Sequence, residues 1–136
     1  MQRLWLMKSE PDAYSWDDLV AEGEGTWDGV RNHRAANNMR AMQVGDQAFF
    51  YHSNIGKEIV GIITISQSGL TDPTDPEAKW ACVKVKPVRK LKQPVTLAQI
   101  KATPEMAEME LVRLGRLSVA EIQPEEWARV LKMAGE

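Results

Sequence analysis

Four short groups in the chain hold residue types suited to a planar ligand. They are Lys8-Ser9-Glu10, Trp27 with Asp28, Arg31 and Asn32, Tyr51-His52-Ser53-Asn54, and Arg116 with Ser118. An aromatic face beside hydroxyl, amide and carboxylate groups is what a heterocycle needs, because the ring stacks and its edge is read by hydrogen bonds. Stacking a base on one aromatic side chain is worth ~1–3 kcal/mol. The base must first be unstacked or flipped out for its edge to be read.

Two other chemistries compete with this one. A small-molecule or nucleotide-handling enzyme would use Glu10 or His52 as its acid–base residue, and Ser53, His52 and Glu10 contain the types of a hydrolase triad. Neighbours on a strand point to opposite faces, however, so Ser53 and His52 do not easily share a proton. The sequence has no G-x-S-x-G elbow, no Walker loop and no G-x-G-x-x-G. His33, His52 and the lone Cys82 do not make a convincing zinc set. No catalytic residue, cofactor or metal is therefore expected. The second competitor is a protein-interaction or structural module.

Each residue also has a purely architectural use. Trp27 before a turn suits a packed lid, His52 a satisfied core histidine and Asn32 a helix cap. Ser53, Asn54 and Ser118 suit turn or cap bonds, Tyr51 a core ring with its hydroxyl at a rim, and Arg116 a salt bridge. Lys8 and Glu10 suit an exposed pair worth only ~0–1 kcal/mol.

The 136 residues amount to one domain. A chain this long buries about two-thirds of its unfolded surface without a metal or disulfide staple. One cysteine and no apolar run of membrane-spanning length suggest a soluble, cytoplasmic protein, with a monomer favoured. The net charge of −2 hides a division. Residues 61–104 carry 7 basic and 3 acidic side chains, against 6 and 9 in residues 1–60. The basic excess gathers between Lys84 and Lys92, as a solvated strand face would. Duplex binders without sequence preference are usually more basic overall.

The elements that must position the four groups follow from pattern. Arg3 to Lys8 is a short apolar strand stopped by Pro11. Ser15 caps a helix with Asp17 and Asp18 in its first turn. Asp28-Gly29 is a turn, and Ala35, Ala36, Met39 and Met42 mark a helix over 33–42. Gly45-Asp46 leads into Ala48 to His52, an apolar run that reads as a central strand covered on both faces. Ile59 to Ile65 is a strand in which Gly61 marks a bend or close contact. The residues from Gly69 to Pro76 form a loop. Trp80 to Leu91 is a strand that Pro87 bends or interrupts. Thr96 and Pro104 open short helices, Gly115 to Val119 turns into a strand, and Pro124 opens a last helix with Trp127, Val130 and Leu131 inward.

Taken in order, these segments resemble an EVE domain over essentially the whole chain, residues 1–136. The residues that carry the resemblance run from Trp5-Leu6-Met7-Lys8-Ser9-Glu10-Pro11 through Trp27-Asp28-Gly29-Val30-Arg31-Asn32 to Phe50-Tyr51-His52-Ser53. Gly61, the Asp72-Pro73…Asp75-Pro76 loop, Arg116-Leu117-Ser118-Val119 and Glu126-Trp127 complete it. The resemblance implies an α+β, PUA-like fold, a mixed and mostly antiparallel β-barrel flanked by short helices and related to the YTH and ASCH domains. It implies a non-enzymatic binder of DNA or RNA carrying a modified base, with a 5-methylcytosine-type DNA base favoured.

On this reading Trp27 stacks the base, and Trp27→Ala should abolish binding with little change in melting temperature. Lys8, Ser9 and Glu10 border the pocket. Asn32, Tyr51, His52, Ser53, Asn54, Arg116 and Ser118 join them, and Trp80 is a candidate second aromatic. Lys8, Arg31, Arg34, Lys84 and Lys86 would hold phosphate. YTH domains have an amide-bearing residue where this chain has Glu10, and a carboxylate accepts from an exocyclic amine rather than donating.

Overall fold

The computed structural model describes residues 3–136. Its centre is β3 (Gln47–His52), entered through a turn at Gly45, whose φ of 96° lies in the left-handed region. Ala48, Phe49 and Phe50 are fully buried and Tyr51 nearly so. The strand is thus covered on both faces, as its unbroken apolar run requires. On one side it pairs in parallel with β1 (Leu4–Ser9), and on the other antiparallel with β4 (Glu58–Thr71).

β5 (Ala81–Thr96) follows β4, and β2 (Gly25–Trp27) lies outside it. β6 (Val119–Ile122) flanks β1, giving the order β2-β5-β4-β3-β1-β6. Among the described residues only the β1–β3 pair is parallel, and a parallel pair needs a long crossover. That crossover contains α1 (Trp16–Glu22), β2 and α2 (His33–Ala41).

The sheet is mixed and mostly antiparallel, but it does not close into the barrel expected from the resemblance. Its edge strands are three and four residues long. α2 packs against both β5 and β6. β4 and β5 are also longer than their sequence suggests, running to Thr71 and Thr96. Four register shifts along this pair let it bend, and Pro87 sits inside β5 opposite Ile63 at one of them.

Two cores result, one on each face of the sheet. Trp5, Met7, Trp16, Trp27 and Phe50 lie in the first, with α1 and α2. Leu6, Phe49, Tyr51 and Trp127 lie in the second. It is covered by α3 (Leu97–Lys101), α4 (Glu110–Arg113) and α5 (Pro124–Met133). Phe49 and Trp127 stack there at 3.8 Å between centroids and 12° between planes. Among the described residues no helix is long and apolar enough to cross a membrane.

Gly61 is the close-contact point that its place in a β-branched strand suggests. A Cβ there would lie 2.5 Å from the buried Trp16 ring. Gly61→Val should therefore destabilise by ~1–3 kcal/mol or more through overpacking. A urea midpoint equal to the parent's would show that Trp16 can swing aside freely.

Candidate nucleic-acid interface

Two clefts open where β1 ends. The first, about 560 Å³, lies between the Lys8–Glu10 strand end, the Tyr51–Lys57 segment, α3, α4 and Arg116. The second, about 640 Å³, lies between the segment from Lys8 to Tyr14 and the segment from Thr26 to Arg31. Lys8, Glu10 and Ser118 line both.

The parallel register explains which side chains reach them. It pairs Lys8 with Tyr51 and Ser9 with His52, so the two pairs face opposite sides of the sheet. Lys8 Nζ donates to the Gly115 carbonyl at 2.8 Å and lies 5.7 Å from the centre of the Tyr51 ring. Burial lowers the pKa of this ammonium and raises that of the Tyr51 hydroxyl. Ser53 lines the first cleft beside Tyr51, and its backbone N–H donates to the Ser9 carbonyl at 2.9 Å. Asn54 follows with φ 69°, a left-handed conformation that asparagine tolerates. Ser9 uses its hydroxyl internally, donating to the Tyr14 carbonyl at 2.6 Å. The Glu10 carbonyl accepts from Ala13 and Tyr14, which folds this segment into a tight turn and leaves the Glu10 carboxylate exposed.

Trp27 lines the second cleft but is only 6% exposed. Its ring meets Phe50 edge-on at 5.4 Å and Tyr14 edge-on at 6.3 Å. It is a core residue supporting the cleft wall, as a tryptophan placed before a turn suits, and not an open stacking platform of the kind the family resemblance implied. Tyr14 supplies the more accessible aromatic ring. Its hydroxyl donates to the Glu22 carboxylate, and burial followed by that hydrogen bond raises its pKa well above the phenolic range. Gly25 is needed beneath it, since a side chain there would collide with the Tyr14 hydroxyl.

Several residues inferred from sequence stand away from both clefts. His52 faces α1, where its Nε2 accepts from the Trp16 N–H at 3.1 Å and its ring packs edge-on against Phe50 at 5.5 Å. Burial lowers its pKa, with Glu58 and Asp17 opposing. Asn32 caps α2, its Oδ1 accepting from the Ala35 N–H at 2.9 Å. Trp80 lies 4.9 Å from the His33 ring and 5.7 Å from the Arg31 guanidinium, so it does not join Trp27 in a cage.

The cations assigned to phosphate are largely engaged elsewhere. Arg31, on the rim of the second cleft, pairs with Asp72 at 2.8 Å, and Arg34 pairs with Glu110 at 2.8 Å. Lys84 and Lys86 lie on β5 beside β2 and line neither cleft. The structure instead adds Tyr14, Lys57 and Lys101 to the cleft walls. No spacing in the sequence marks them, because they come from a turn, a hairpin tip and a helix end. Among the described residues no group of three or more His, Cys, Asp or Glu side chains is placed to hold a metal ion.

The two clefts differ in charge. Lys8, Lys57, Lys101 and Arg116 outnumber Glu10 around the first. Glu10, Glu22, Glu24 and Asp28 outnumber Lys8 and Arg31 around the second. The pair offers a basic groove next to an aromatic-walled recess rich in hydrogen-bond acceptors.

The mixed sheet with helices on both faces and two adjoining clefts at the end of β1 defines a small α+β domain of the PUA-like kind. The EVE domain family model matches residues 3–133, and the chain belongs to that family. Human thymocyte nuclear protein 1 is 35% identical over 95% of this chain and 72% of its own length. The solved structure of Rpa0253 from Rhodopseudomonas palustris is 52% identical with a TM-score of 0.93, covering 98% of this chain and 93% of that one. A crystal structure of human THYN1 in complex with 5-methylcytosine-containing DNA is 32% identical with a TM-score of 0.92, covering 99% of both chains.

Proposed function

We propose that this EVE domain binds DNA at a modified base of the 5-methylcytosine type and catalyses no reaction on it. The observation that carries the reading is the second cleft, where Tyr14 and the edge of Trp27 form an aromatic wall beside the carboxylates of Glu10 and Asp28. The cytosine N4 amine is a donor, and an ionised carboxylate only accepts. An acidic recess therefore favours an amine-bearing base over a carbonyl-edged one. The human THYN1 complex with 5-methylcytosine-containing DNA supports the same class of ligand. An acid–base role for His52 loses its support, because its Nε2 is already accepting from Trp16.

The base lies against Tyr14, and Glu10 accepts from its amine. Burying the extra methyl contributes about 0.8 kcal/mol, or roughly a fourfold preference over cytosine. Hydrogen bonds to charged groups contribute ~1.5–3 kcal/mol, so Glu10→Gln should weaken binding about tenfold or more. The test is fluorescence anisotropy on matched oligonucleotides carrying cytosine or 5-methylcytosine, single-stranded and duplex, at fixed salt. Equal affinity for both bases in every format would overturn the reading.

A further inference from the structure

We infer that the first cleft is a phosphodiester subsite, holding the DNA backbone that flanks the base bound in the second cleft. The inference rests on the base-binding reading for its geometry, since Lys8, Glu10 and Ser118 form a wall common to both clefts. A nucleotide seated on one side of that wall extends its sugar–phosphate chain towards the other.

The argument begins with how the charges are distributed. Arg3, Arg31, Arg34, Arg89 and Arg113 all have carboxylate partners. Among the described residues Lys8, Lys57, Lys101 and Arg116 are among the basic side chains that form no ion pair, and what sets these four apart is that all of them line this one cleft. Four cations facing a single carboxylate, Glu10, repel one another on balance, and a bound anion relieves that repulsion.

The backbone that carries these cations is held in place. Lys57 has φ 49°, a left-handed conformation unusual for a lysine, and its carbonyl accepts from the Leu97 N–H at 2.8 Å. That bond ties the hairpin tip to the start of α3, which carries Lys101 at its other end. The Ser53 N–H ties the same hairpin to β1 through the Ser9 carbonyl. Lys8 is fixed by its bond to Gly115, next to Arg116. Segments distant in sequence thus converge on one groove, with Tyr51, Ser53 and Asn54 on its floor and rim. Lysine and arginine contacts to phosphate fix position and register and carry no sequence information.

The test uses the double variant Lys57→Ala/Lys101→Ala, both exposed positions, with Lys101→Ala alone as a second variant if the double variant melts early. Binding of single-stranded oligonucleotides with cytosine or 5-methylcytosine is measured between about 50 and 200 mM salt. Loss of two phosphate contacts should reduce the slope of log K against log salt by about 1.4. Affinity should fall to the same extent for both oligonucleotides, leaving their ratio unchanged. If the wild type shows no preference between the bases but the variant loses slope, the base reading fails and the phosphate subsite stands.

An unchanged slope, or no binding of any oligonucleotide by the wild type, would overturn the subsite. So would a collapse of the base ratio without a slope change, because the first cleft would then be reading the base. Inorganic phosphate serves as a competitor. Full displacement of the oligonucleotide at equal phosphate concentration would identify a site for free phosphate and overturn the diester assignment.

Discussion

Trp27→Ala is expected to destabilise the domain by roughly 3–5 kcal/mol and to remove any preference for the modified base. The indole is 6% exposed and lies between Phe50 of the central strand and Tyr14 of the cleft wall. β2 has three residues and ladders only to β5, with Trp27 opposite Val83. The strand is therefore held chiefly by its side chains, and Trp27 is the largest of them. Small domains have ~5–15 kcal/mol of stability in all, so the variant should fold with little margin. Circular dichroism during urea unfolding reads the loss without interference from the other four tryptophans.

This expectation reverses the one drawn from the base-stacking role that the resemblance implied, which had Trp27→Ala leaving the melting temperature nearly unchanged. Trp27→Phe separates the two functions of the ring. It keeps an aromatic edge against Tyr14 and should recover much of the stability, leaving base preference to report on the cleft alone. A midpoint for Trp27→Ala equal to the parent's would mean that the indole is not core.

How legible each feature was depends on whether its cause is local. The apolar run from Ala48 to His52 reads as a doubly covered strand because burial on both faces removes alternation, a local signal. Ser15 and Thr96 are visible as helix caps for the same reason, and both are found in capping boxes. Gly61 in a β-branched strand likewise points to a close contact, although the contacting residue, Trp16, is 45 positions away and has no mark in the sequence. Site residues are harder to read. Lys8, Glu10, Tyr51, Ser53, Asn54, Arg116 and Ser118 do line the clefts, because strand ends and the turns beside them meet there. Asn32 and His52 carry equally suggestive polar groups, but both are used at helix starts: Asn32 caps the helix that follows it, a local bond, whereas His52 accepts from the Trp16 backbone N–H, which only the folded chain brings to it. Tyr14 and Lys57 sit in turns, where composition sets the backbone path and says little about where a side chain ends up. The open sheet was not legible either, since closure depends on whether the edge strands β2 and β6 meet, which no local pattern records.

Asp72→Asn should cost about 2–4 kcal/mol, although asparagine has nearly the same shape. Removing one partner of a buried ion pair costs ~3–5 kcal/mol, and the lower figure here allows for Arg31 being 40% exposed. Asp72 itself is 1% exposed and accepts four hydrogen bonds. Oδ2 accepts from the Gly29 N–H at 2.7 Å and Arg31 at 2.8 Å, and Oδ1 accepts from the Thr74 N–H at 2.7 Å and its hydroxyl at 2.6 Å. An asparagine has to turn an NH2 towards donors on one of those sides, so two donors lose their acceptor. The loss falls on the loop that carries the cleft wall, because Gly29 has φ 75° and follows directly on Trp27 and Asp28. Base preference should therefore weaken along with stability.

The pH dependence identifies the ionised carboxylate as the cause. Burial alone would raise the Asp72 pKa, but the bonds from Arg31, Thr74 and Gly29 outweigh it and hold the carboxyl well below its ordinary 3.8. A depressed folded pKa contributes stability that is fully present above the unfolded value. As the pH falls below about 3.8 the unfolded chain takes up the proton first, and the contribution drains away towards the folded pKa. The gap in urea midpoint between parent and Asp72→Asn should thus be constant from neutral pH to about 5 and narrow steadily between about pH 4 and pH 2. A gap that held its full width at about pH 2 would mean that the loop is organised by shape rather than by the charge on Asp72.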